Sequence, residues 1–156
     1  MKNETCCPKL KVSDWDDKML NWQNKNFVVG KVRTFFYMPV NFGKVITKLI
    51  NLVTAEGGEL DQNLCLSDHL STKQMNILLA VNKKINGVEN ITLTGKFYCK
   101  VYEGPFKDTG RWCANFEKVL ASKKLTMEKM YMWYTTCPKC AKKYGHNYTV
   151  IIAKVA

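Results

Sequence analysis

The sequence predicts an α+β fold assembled from two copies of a β-α-β-β unit, and three observations lead there. The first is an internal repeat. Residues 30–53, GKVRTFFYMPVNFGKVITKLINLV, lie over residues 95–120, GKFYCKVYEGPFKDTGRWCANFEKVL. Each stretch opens on Gly-Lys, runs through β-branched and aromatic residues, passes Tyr-x-Pro or Tyr-x-Gly-Pro, and enters a helical spacing. The second is the pair of short apolar runs that follows each helical stretch. The third is size: 156 residues with 46% hydrophobic content suit one domain able to bury a core without metals or disulfides.

The elements follow in order. Residues 1–26, rich in Trp, Asp and Lys, have no counterpart in the repeat and read as an N-terminal extension; residues 27–156 read as a single domain, with repeat one over 27–82 and repeat two over 91–156. In repeat one, Val45, Ile46, Leu49, Ile50, Leu52 and Val53 form the apolar stripe of a helix, which Asn41 is placed to cap and Gly57-Gly58 to stop. In repeat two, Trp112, Phe116, Val119 and Leu120 form the stripe, with Asp108 or Thr109 as cap and Lys123-Lys124 at the cation-favouring end. The runs at 64–69 and 76–81, then 130–136 and 148–155, are short and β-branched, which favours strands over buried helix.

The net charge of +11, from 24 Lys+Arg against 13 Asp+Glu, invites a polyanion as partner. Its distribution argues against nucleic acid: all but two of the basic residues are lysines, scattered through the chain without an arginine cluster or helix-turn-helix pattern. No apolar stretch of signal-peptide or membrane-spanning length occurs, so the chain reads as cytoplasmic, with no membrane partner and with its seven cysteines reduced. Nothing in the sequence marks an oligomeric state.

Two β-α-β-β units with Tyr-Glu-Gly-Pro-Phe (102–106) leading into the second helix resemble the GyrI-like small-molecule-binding family, whose fold is also the effector domain of multidrug-sensing transcription regulators. The resemblance covers residues 27–155. It implies two repeats about a pseudo-twofold axis, an antiparallel sheet with two main helices on one face, and a groove for a hydrophobic or aromatic small molecule. It also implies hydrolase activity on a reactive xenobiotic in some free-standing members, or service as an effector or interaction module for a transcription regulator. The family often has Tyr-Glu-x-Tyr on the strand after the second helix. Here that stretch is Tyr131-Met132-Trp133-Tyr134, so Met132 stands where the carboxylate would be. Overlaying the repeats sets Asp68 opposite Tyr134, on the strand face of Met132, where it either replaces the missing charge or starts a turn with His69.

The ligand-binding set expected from these readings is Tyr37, Asp68, Tyr102, Met132 and Tyr134. Tyr37 and Tyr102 precede the two Pro turns at matching positions, and an apolar groove with a few placed hydroxyls is the usual form of such a site. No nucleophile or general base stands out, because neither His69 nor His146 has a motif around it.

Cys137-Pro138-Lys139-Cys140 is open to three readings. As a redox dithiol it lacks a following helix long enough to depress a thiol pKa. As half of a structural zinc site it needs two further ligands, for which Cys6, Cys7 and His146 are the candidates. As a plain turn it carries two reduced thiols. Cys65, Cys99 and Cys113 read as small apolar residues of strand or helix faces.

Overall fold

The computed structural model describes residues 10–35, 38–135, 142 and 145–156. Among these the chain mixes helix and strand and is dominated by antiparallel sheet. The order is α1 (Val12–Trp15), β1 (Lys18–Phe35), β2 (Met38–Pro39), α2 (Phe42–Ala55), β3 (Leu60–His69), β4 (Gln74–Val81), β5 (Asn90–Glu103), a short 3₁₀ turn (Phe106–Asp108), α3 (Thr109–Ser122), β6 (Met127–Tyr134) and β7 (Tyr148–Val155). The chain divides into two compact units. One is contiguous, Trp22–Thr94; the other is split, Met1–Asn21 with Gly95–Ala156.

In the contiguous unit β4 lies between β1 and β3, both antiparallel to it, in a register that runs from Phe27 opposite Ala80 to Arg33 opposite Gln74, and from Cys65 opposite Leu79 to His69 opposite Met75. Side chains alternate across a strand, so one face carries Val28, Gly30, Val32, Met75, Ile77 and Leu79. Against it packs the stripe of α2, where Leu49 and Val53 are buried, giving an aliphatic core. Gly30 makes the close approach possible: a Cβ there would stand 2.8 Å from both Leu49 Cδ1 and Val45 Cγ1. The helix stops as expected at Gly57, whose φ is +76°, while Gly58 N–H donates to Val53 O at 2.8 Å and Gly57 N–H to Thr54 O at 3.1 Å.

The split unit orders its strands β6-β7-β5, again all antiparallel. Tyr98, Ile151, Ala153, Met132 and Val155 face α3, which inserts Trp112, Phe116 and Leu120. Here the same helix stop is made without glycine: Lys124 takes φ +58°, with Leu125 N–H on Leu120 O and Lys124 N–H on Ala121 O.

Residues from 10 onward that the sequence set apart as extension are structured. Trp15 is buried and meets Trp133 edge-on at 4.9 Å. Asp16 Oδ1 accepts from Val101 N–H at 3.0 Å and faces Lys100 Nζ at 3.8 Å. Asp17 accepts from the Tyr98 hydroxyl and faces Lys123 Nζ at 3.4 Å. Together the Tyr98 and Lys123 hydrogen bonds hold the Asp17 carboxyl below its ordinary range.

Two expected caps are made differently. Neither Asn41 nor Asp108 caps its helix through the side chain. Asn41 Oδ1 instead accepts from Arg33 N–H at 2.8 Å, and Asp108 pairs with Arg111 at 2.6 Å. Both residues lack the extended backbone that turns a capping side chain back onto the first turn.

Candidate functional site

The segment Tyr102–Phe106 closes β5 and turns into α3. Tyr102 lies opposite Thr149 on β7, and Thr149 lies opposite Tyr134 on β6. Residues directly opposite in antiparallel strands share a face, so Tyr102, Thr149 and Tyr134 form one row beneath the start of α3. Gly104, at φ +137°, ends the strand; its N–H donates to Asn147 O at 3.1 Å while Asn147 Nδ2 donates to Gly104 O at 2.8 Å. That clamp fixes the turn from which Phe106 reaches the Tyr134 ring edge-on at 5.4 Å.

Around the row, Trp112 stacks on Tyr102 with centroids 5.9 Å apart, and the Tyr102 hydroxyl donates to Asn115 Oδ1 at 2.7 Å. Lys100 Nζ stands 5.8 Å from the Tyr102 ring centre. Burial and then Cys113 push the Tyr134 phenol up to about 12, and burial first, then Cys113 and Asp16, pushes Tyr102 up as well. Both phenols therefore carry their protons at neutral pH and act as hydrogen-bond donors, not as bases. Thr149 between them is fully buried, and its hydroxyl has no hydrogen-bond partner among the described residues.

Beside the turn lies an open depression of about 450 Å³ lined by Glu103, Gly104, Pro105, Lys142, His146 and Asn147. It brings a carboxylate, an ammonium and an imidazole to one surface. The Tyr-Glu-Gly-Pro-Phe segment thus faces two ways, its aromatic residues joining the ring cluster and Glu103-Gly104-Pro105 lining the depression.

Of the expected ligand residues, the structure brings Tyr102 and Tyr134 together. Met132 shares their face but is 3% exposed within the α3 core, so it acts there as packing. Asp68 lies in the contiguous unit, opposite Asn76, with Ser67 opposite Ile77 and His69 opposite Met75. Ile77 and Met75 face α2, so Ser67 and His69 do too, and Asp68 points to the other side of the sheet. The repeat overlay that gave Asp68 the strand face of Met132 and Tyr134 is off by one residue, and with a period of two that reverses the side chain. His69 is kept below its usual pKa by burial.

Tyr37, Cys6, Cys7, Cys137 and Cys140 lie outside the described residues. His146, the remaining zinc candidate, lines the depression, and its ring meets Tyr148 at a tilt of 37° with centroids 4.3 Å apart. Among the described residues, no three His, Cys, Asp or Glu side chains group in a way that would hold a metal. Cys99 is buried and Cys65 and Cys113 partly so; burial pushes the thiols of Cys65 and Cys99 up to about 12, which suits the apolar role expected of them.

Sequence reasoning missed Thr149, Asn115 and Glu103 as site residues and took Trp112 for stripe alone. A usable signal was present for Thr149, a lone hydroxyl opening the run Val150-Ile151-Ile152-Ala153.

Among the described residues no helix is long and apolar enough to cross a membrane. The family model described as "Bacterial hydrolase" matches residues 1–155. An uncharacterized conserved protein from Listeria innocua has a similar fold, with TM-score 0.66 at 11% identity over 89% of this chain and 91% of that one. A hydrolase from Listeria innocua gives TM-score 0.64 at 11% identity, again over 89% and 91%. The EcmrR C-terminal domain gives TM-score 0.57 at 13% identity over 89% of this chain and 94% of its own. No curated protein matches the sequence.

Proposed function

Since the chain belongs to the bacterial hydrolase family, we propose that it binds a hydrophobic or aromatic small molecule at the end of the split unit's sheet and hydrolyses a reactive group that the molecule carries. The observation that carries this reading is the double use of Tyr102–Phe106. Tyr102 and Phe106, with Trp112 and Tyr134, offer ring faces and edges to an apolar body. Glu103 and His146 line the depression alongside, with Lys142, so a reactive centre there meets a carboxylate and an imidazole able to take a proton from an attacking water. The internal repeat, Gly30-Lys31 matching Gly95-Lys96, supports reading the two units as copies of which this one carries the chemistry.

The test is a thermal-shift screen of neutral aromatics and hydrophobic cations, followed by hydrolysis of p-nitrophenyl acetate. A ligand at a hundred times its Kd adds about 2.7 kcal/mol to stability, a rise of several degrees in Tm for a chain of this size. Tyr102→Ala is expected to abolish the shift, and Glu103→Gln to lower kcat about tenfold or more with the shift retained. A library without any shift refutes the binding reading, and a wild-type rate equal to buffer refutes the hydrolytic one.

The similarity to the EcmrR C-terminal domain favours a second reading, an effector module acting on a transcription regulator. It predicts a stoichiometric regulator partner in a pull-down from the native cell, and a ligand shift without turnover.

A further inference from the structure

We propose that the Thr149 hydroxyl is a ligand contact, donating a hydrogen bond to a neutral oxygen, such as that of an ester or ketone, on the aromatic small molecule; this rests on the binding reading above. Thr149 is 0% exposed and its Oγ1 has no partner among the described residues. A buried hydroxyl left unpaired costs about 1–3 kcal/mol, and the residues that follow it, Val150, Ile151 and Ile152, are the apolar types such a place otherwise takes. Valine would occupy the same shape without that cost.

Thr149 stands mid-row between Tyr102 and Tyr134. The Tyr102 proton is committed to Asn115 Oδ1 at 2.7 Å, so the threonine donor is the uncommitted one of that pair. Lys100 Nζ lies 5.8 Å from the Tyr102 ring on the same face, where it faces the Asp16 carboxylate at 3.8 Å. A hydroxyl with its proton uncommitted selects an oxygen acceptor over a hydrocarbon at the same place. Phe106, which is 37% exposed on its three-residue turn, meets Tyr134 edge-on at one end of the row.

The experiment compares acetophenone with ethylbenzene by calorimetric titration of the full chain, for wild type, Thr149→Val and Thr149→Ser, together with the Tm of each. Wild type is expected to prefer the ketone by about tenfold, the worth of one hydrogen bond. Thr149→Val is expected to lose that preference while still binding ethylbenzene and keeping or raising its Tm, since the unpaired hydroxyl is gone. Thr149→Ser, which keeps the hydroxyl, is expected to retain the preference. Equal binding of both probes by wild type, or an unchanged preference in Thr149→Val, overturns the inference and leaves the aromatic-binding reading standing. A Tm lowered by several degrees in Thr149→Val overturns it as well, because the hydroxyl then serves the fold. Failure of wild type to bind either probe overturns both readings.

Discussion

The contiguous and split units each pack one main helix on antiparallel strands, yet the two helices rest on different chemistry. Under α2 the sheet presents Val28, Gly30, Val32, Met75, Ile77 and Leu79, an aliphatic surface with a glycine notch. Under α3 it presents Tyr98, Lys100 and Tyr102 on β5, Ile151 and Thr149 on β7, and Met132 and Tyr134 on β6. The first interface gains most from close packing, because aliphatic surfaces interdigitate and hold no polar atom that must be satisfied. The second gives up some of that closeness for hydroxyls and ring edges. An antiparallel scaffold thus serves as plain core in one unit and as a candidate site in the other, and the strand residues facing the helix decide which.

The largest effect that sharpens this contrast is at Gly30. Gly30→Ala places a Cβ 2.8 Å from Leu49 Cδ1 and Val45 Cγ1 and 3.1 Å from Ile77 Cγ1. Overpacking of this kind costs about 1–3 kcal/mol, offset by about 0.5–1 kcal/mol from the lost glycine entropy. Urea unfolding is expected to show a net loss on the order of 1 kcal/mol; a stabilised variant would mean that α2 does not press on β1 as described.

A smaller effect of opposite sign is expected where the helices end. Gly57 holds the left-handed position after α2, and Lys124, at φ +58°, holds it after α3. Lys124→Gly relieves a backbone cost of about 1 kcal/mol and loses part of that to unfolded-chain entropy. Tm is expected to rise by a degree or two, and a fall would show that the lysine side chain contributes more than the strain costs.

The smallest effect is in alkaline solution. Tyr98, Tyr102 and Tyr134, all in the split unit, have pKa values raised by burial, and Tyr98 also by the Asp17 carboxylate. A raised folded pKa means that the native state holds the proton more tightly. The associated stability is complete below the ordinary phenol value of 10.0 and declines as pH rises past it. Denaturant midpoints measured between pH 9 and 11 are expected to fall, and less steeply in Tyr98→Phe; equal slopes would remove Tyr98 from the account.

The sequence disclosed elements far better than faces. Strand β7 matches its expected bounds, and both helices and the Gly57 stop follow from periodicity and punctuation. Which way a strand residue points depends on register, and the repeat alignment was anchored on Gly-Lys and proline instead. One residue of offset was enough to set Asp68 on the wrong side of β3, whereas Tyr102 and Tyr134, which the overlay did not pair, both stand opposite Thr149. The caps failed for a related reason: Asn41 and Asp108 are capping residue types, but φ and ψ at the two positions are set by the strand and the 3₁₀ turn before them. Thr149 could be noticed as a lone hydroxyl before an apolar run, but its significance lies in what stands opposite it on two other strands, which the sequence does not display. The role of Asp16 and Asp17 was hidden too, since their partners are 85 and 81 residues away along the chain.

Those separations bear on how the molecule is made. A ribosome delivers Trp15, Asp16 and Asp17 early, then the whole of Trp22–Thr94, and only afterwards Tyr98, Val101, Lys123 and Trp133. At roughly 5–20 residues per second, the wait for Tyr98 and Val101 is on the order of ten seconds, long compared with the folding of a small contiguous unit. Nascent chains therefore pass through a stage in which one tryptophan-bearing end has no docking place. The clasp of Asp16 and Asp17 closes only after Tyr98 and Val101 have been made, once a long loop has met its closure entropy.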